Sequence, residues 1–193
     1  MGGAYPLRQC AVMDKEEQKH MDRVEEARRT LLALYGGSHS PLEESDPDFA
    51  AIKQRLVYGE LYAQEALDPV MRELILLAVA TTNQTMSEVK LHTCAALRSG
   101  ASPEAVKEAV YHCAPYIGLG KAEAAAAAVN EVLRTQGISL PLASQRTVSE
   151  EDRLTAGIAA QKSIFGPHID EMRAAAPNDK KPLQDYLSAY CFG

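Results

Sequence analysis

One segment constrains this chain more than any other: Asp68-Pro69, then Val-Met-Arg-Glu, then Leu-Ile-Leu-Leu-Ala-Val-Ala. Asp68 suits a helix N-cap and Pro69 the first helical position, where a missing N–H leaves nothing unsatisfied. The helix that follows is apolar nearly all round, which predicts a central, buried element. After Arg72 and Glu73 no charge appears until Glu88. Such a helix needs other helices around it, and the rest of the chain supplies them. Apolar residues recur at helical spacing along most of the 193 residues, and no stretch reads as a strand. The expected fold class is all-α.

The boundaries are marked by local chemistry. Lys15 to Tyr35 reads as an amphipathic helix that stops at Gly36-Gly37, before a polar loop. A second helix is expected over 47–65. A third follows the buried one, from about Ser87 to Ser99, with Gly100 as its stop. Ser102-Pro103-Glu104 opens another that runs to about Tyr116. Gly118 and Gly120 precede an Ala-rich helix ending at Gly137. Residues 138–149 read as a linker, and helices are expected over 150–165 and 183–190. This divides the chain into an N-terminal helix and loop (1–45), a core (46–137), the linker (138–149) and a C-terminal helical appendage (150–193). An internal echo is present as well. Residues 27–36 (ARRTLLALYG) resemble 157–166 (GIAAQKSIFG), and the aromatic-Gly pair at 58–59 is echoed at 192–193. The appendage thus reads as the possible start of a second repeat.

Composition narrows the function. A net charge of −6 lacks the basic footprint of a nucleic-acid binder. No apolar run approaches the roughly 20 residues that span a bilayer, so no membrane partner is expected. The N-terminus has no basic stretch followed by an apolar one, so no secretion signal is expected. Four cysteines (Cys10, Cys94, Cys113, Cys191) stand without CxxC spacing, which suits a reducing cytoplasm.

Glu73 and His92 are the leading candidates for chemistry. A carboxylate on a strongly apolar helix costs several kcal/mol to desolvate unless it is paired or used. The short connection after the buried helix makes the helix bearing His92 its neighbour, so the two side chains can meet. A carboxylate that orients an imidazole makes a general acid/base. The plainer alternative is a buried Glu73 paired with Arg72, beside a core histidine. His112 and Tyr116 share a small-residue face and could line a pocket or a subunit contact. Cys94 and Cys113 each lie close to a histidine and are candidate nucleophiles or small buried hydrophobes. Glu60 is a further polar candidate. No HxxxH spacing supports a metal site, and no cofactor is expected.

The strings YGELYAQEALDPVMRELILLAVATT and VKLHTCAALRSGASPEAVKEAVYHCAPYIGLGKA resemble the carboxymuconolactone decarboxylase family over about residues 55–135. The resemblance implies an alkylhydroperoxidase D-like helical bundle, assembled as trimers or hexamers with active sites near subunit contacts. In the thiol-dependent members a Glu, a CxxC and a downstream His form a proton relay. Glu73 and His92 match that Glu and His, while the cysteine positions fall on Thr85 and Glu88. The decarboxylases carry Arg and Gly where this chain has Gln64 and Ala66, which leaves Arg72 or Lys90 to hold a substrate carboxylate. The resemblance implies a cofactor-free lyase or related hydrolase on a small carboxylated lactone or oxo acid. Glu73 and His92 would be catalytic, with Glu60, Gln64, Arg72, Glu88, His112 and Tyr116 lining the pocket. The alternatives are a peroxiredoxin-type activity through Cys94 and Cys113, or an inactive small-molecule binding module.

Overall fold

The computed structural model describes residues 23–37, 40–64 and 66–193. Every regular element among them is helical, so the protein is all-α. Contacts group the chain into two units, residues 1–66 and 67–193. The expected helical turns before Arg23, and Cys10, lie outside the described residues.

In the first unit, α1 (Arg23–Tyr35) turns Ala27, Leu31 and Leu34 inward. α2 (Pro47–Gln54) runs directly into a π-helical stretch (Arg55–Leu61) and a 3-10 turn (Tyr62–Gln64). A single α-helix was expected over 47–65, and the winding differs for a packing reason. α1 lies so close that a Cβ on Gly59 would fall 2.1 Å from the Arg23 carbonyl oxygen. The wider π turn is where this close approach occurs. Tyr58 is buried there and stands edge-on to Tyr35, with ring centroids 5.9 Å apart.

The second unit is built on α3 (Pro69–Asn83), α4 (Met86–Arg98), α5 (Pro103–Tyr111), α6 (Ala114–Ile117) and α7 (Leu119–Thr135). α3 starts as its sequence dictates, with the Asp68 carboxylate accepting from the Val70 and Met71 N–H groups. It ends at Gln84, whose left-handed backbone (φ 59°) turns the chain into α4. The Gln84 side chain donates to the carbonyls of Thr81 and Lys121, at 2.7 and 3.2 Å. The core gathers Leu77, Val89, Ala96, Val106, Val110, Ala125, Val129 and Leu133 from α3, α4, α5 and α7. Alanines at 122, 125 and 128 let α7 approach its neighbours closely.

Two expectations need correction here. α3 is not buried all round: Met71, Ile75 and Val79 are about half exposed, because α4, α5 and α7 cover only the stripe of Glu73, Leu77, Ala80 and Thr81. The helix expected from Pro103 to Tyr116 breaks at His112–Cys113. Pro115 has no N–H to give the preceding turn and its ring crowds the carbonyl four residues back, so a new short helix starts instead.

Beyond an extended stretch lie α8 (Arg153–Phe165), α9 (His168–Ala175) and α10 (Lys181–Cys191). α8 and α10 approach as tightly as α1 and the π turn do. A Cβ on Gly193 would meet the Arg153 carbonyl oxygen at 2.2 Å, and one on Gly157 that of Ser188 at 2.1 Å. Phe165 and Phe192 stand edge-on with centroids 6.0 Å apart. α9 is tied to α10 by Arg173, which donates to Asp185 and Ser188. It is also tied to α8 by the 2.6 Å ion pair between Lys162 and Asp170.

Candidate active site

Glu73 lies in the second turn of α3, on the stripe that α3 turns inward, and is fully buried. His92 lies on α4 between Val89 and Ala96, both fully buried, so its ring is directed to the same interior. The two-residue connection at Gln84-Thr85 makes α3 and α4 neighbours. The result is direct contact: His92 Nδ1 stands 2.9 Å from Glu73 Oε2.

Both carboxylate oxygens of Glu73 are engaged. Oε1 accepts from Arg72 Nε at 3.1 Å and Oε2 faces the imidazole. An ionised carboxylate only accepts hydrogen bonds, so with Glu73 ionised the fitting tautomer donates Nδ1–H to it and turns Nε2 outward. The guanidinium and the imidazole together compensate a charge whose burial would otherwise cost several kcal/mol. On the outer side, Glu88 Oε2 stands 3.7 Å from Nε2. Glu88 is one turn before His92 on α4, the spacing that puts two side chains on one face. Solvent access rises outward along this line: the side chain of Glu73 is 0% exposed, that of His92 11% and that of Glu88 36%.

The structure therefore brings Glu73, His92, Arg72 and Glu88 together. Pairing of Glu73 with Arg72 occurs alongside the imidazole contact, not instead of it. The other expected residues have settings of their own. Glu60 holds Arg23 in a 2.8 Å ion pair within the first unit. Gln64 is exposed at the end of the 3-10 turn. His112 and Tyr116 are exposed together, with ring centroids 6.1 Å apart. Lys90 is engaged by Glu131 at 2.7 Å.

Burial works against thiolate formation at two of the cysteines. Burial pushes the Cys94 thiol above its ordinary range, against a weaker opposing pull from Arg98. Burial raises Cys113 too, and its Sγ donates to the Ala109 carbonyl at 3.2 Å. A raised pKa means less thiolate at neutral pH, and the thiolate is the reactive form. Among the described residues, no group of three His, Cys, Asp or Glu is arranged to hold a metal ion. A cavity of about 590 Å³ is lined by Glu104, Lys107, Tyr111, Arg146 and Arg153, and an apolar groove of about 380 Å³ by Leu31, Leu32 and Ala51, among others. Neither includes the Glu73–His92 pair.

Sequence reasoning underrated two contacts. It offered Arg72 as an alternative partner for Glu73, where both partners are present. It placed Glu88 only through the family resemblance, although its four-residue separation from His92 was a readable signal.

The helical core holds a carboxylate–imidazole pair on two adjacent helices. Residues 47–131 match the sequence profile of the carboxymuconolactone decarboxylase family. It is also 29% identical over 98 residues to a 4-carboxymuconolactone decarboxylase of Acinetobacter baylyi, an alignment covering 51% of this chain and 73% of that protein.

Proposed function

We propose that this protein is a cofactor-free carboxy-lyase acting on a small carboxylated lactone, with His92 as general acid and Glu73 as the carboxylate that orients it. The observation that carries the reading is the 2.9 Å contact between His92 and a fully buried Glu73. Glu73 fixes the tautomer and the ring plane, so Nε2 meets substrate in one orientation. Decarboxylation breaks the bond between carbon and carboxylate and releases CO2. The electron pair passes into the conjugated carbonyl system, and the imidazolium form of His92 then gives its Nε2 proton to close the new C–H bond and becomes the neutral imidazole that keeps Nδ1–H on Glu73. Arg72, already against Glu73, is the cation positioned to meet the substrate carboxylate. The relative named for 4-carboxymuconolactone supplies the substrate class. We further propose that the protein acts in the cytoplasm as a homo-oligomer, for which the half-exposed face of α3 offers apolar surface.

The test is CO2 release from 4-carboxymuconolactone by wild type and His92→Ala. General acid catalysis contributes about 10²- to 10⁴-fold, so the variant is expected to lose at least 100-fold in kcat while retaining the wild-type helical circular dichroism. Full activity in His92→Ala overturns the assignment. Peroxide-dependent loss of two thiols with no turnover of the lactone would replace it with a redox function.

A further inference from the structure

Every decarboxylation of this kind takes up one proton, and the geometry shows a problem in supplying it. Nδ1 of His92 is closed off by Glu73, so the imidazole can be reloaded only through Nε2. His92 itself is nearly buried, with a side chain 11% exposed. Among the described residues, an ionisable group that faces Nε2 is Glu88, on the same helix and one turn earlier, with Oε2 3.7 Å away and a side chain more than a third exposed. That separation is too long for a hydrogen bond and short enough for a small side-chain rotation to make one.

We propose that Glu88 is the positioning residue that returns the proton His92 gives up in each turnover. This rests on the decarboxylase reading above. The cycle balances as follows. His92 delivers the Nε2 proton to the carbanionic carbon left by CO2 and becomes neutral, still donating Nδ1–H to Glu73. After product leaves, the Glu88 carboxyl swings onto Nε2 and transfers its proton, so that the imidazole is reloaded and Glu88 becomes a carboxylate. Solvent then reprotonates Glu88 at its exposed edge. The 3.7 Å gap serves this cycle, because a permanent hydrogen bond at Nε2 would occupy the atom that must meet substrate. A carboxylate two residues or one further along α4 would face another side of the helix, so the four-residue spacing is what makes the path.

The decisive variant is Glu88→Gln, which keeps size and hydrogen bonding and removes the transferable proton. With 4-carboxymuconolactone as substrate, kcat is expected to fall about 10- to 100-fold with KM within about twofold. Added formate or imidazole buffer is expected to restore the rate in proportion to its concentration, while wild type stays insensitive to buffer. Glu88→Asp is expected to recover part of the loss. A second measurement needs no substrate: exchange of the His92 Nε2 proton with water, followed by NMR of histidine-labelled protein, is expected to slow several-fold in Glu88→Gln. Unchanged kcat with unchanged exchange overturns the relay, as does a lower kcat that buffer does not rescue. If His92→Ala is inactive in either case, the decarboxylase reading stands without the relay. If wild type does not turn over the lactone yet exchange still depends on Glu88, the proton path stands and the substrate assignment falls.

Discussion

The pair formed by α1 and the π turn and the pair formed by α8 and α10 solve one packing problem with different side chains. Each brings a glycine against the carbonyl of an arginine that opens a helix, Gly59 on Arg23 and Gly193 on Arg153. Each also sets an aromatic before that glycine edge-on to an aromatic at the helix end. They differ in what surrounds the contact. The first pair buries Tyr58, whereas the second leaves Phe165 about half exposed and has α9 between its helices. The extra residues are visible in the sequence, where the aromatic-Gly pairs are 23 residues apart in one case and 27 in the other. Backbone approach is thus the common requirement, and side-chain burial is not: the first pair adds a buried ring and the Arg23–Glu60 ion pair, the second adds polar ties through α9.

That comparison can be broken most directly at the aromatics. Tyr58→Ala removes a buried ring and its edge-on neighbours, at an expected cost of about 3–5 kcal/mol in urea denaturation, whereas Phe192→Ala is expected to cost about half as much because its partner is half in water. Equal costs would mean that the two contacts are not distinguished by burial. Next in size is Gly59→Ala, where the new methyl meets backbone 2.1 Å away and the helices must separate. The expected loss is about 2–3 kcal/mol. The smallest effect sharpens the polar side of the contrast. Arg173→Ala should cost about 1–2 kcal/mol and raise amide exchange in α9 while leaving α1 unchanged. Faster exchange in both pairs would show that α9 is not a local tie.

Much of this organisation was legible because it is written in short-range chemistry. Asp68-Pro69 started α3, and Gly100 with Ser102-Pro103 separated α4 from α5. The lone carboxylate in an apolar run and a histidine on the next helix singled out Glu73 and His92. What escaped the sequence depends on neighbours. The one-sided burial of α3 follows from where α4, α5 and α7 lie, which the α3 sequence does not encode. The π winding at Arg55–Leu61 answers the approach of α1. α9 is eight residues long and buries only Ile169, too little to produce a period. Glu60 and Arg23 are 37 residues apart, and nothing near either one announces the other.

The turn at Gln84 has a consequence for the order in which the molecule assembles. A non-glycine residue in the left-handed region costs on the order of 1 kcal/mol or more, and here its side chain bonds the Thr81 and Lys121 carbonyls. The first partner is local, but the second lies 37 residues downstream at the start of α7. The α3–α4 hairpin can therefore nucleate early from nearby contacts, while its turn is latched only when α7 docks. The register that holds Glu73 opposite His92 is therefore tied to the docking of α7 as well as to the turn itself.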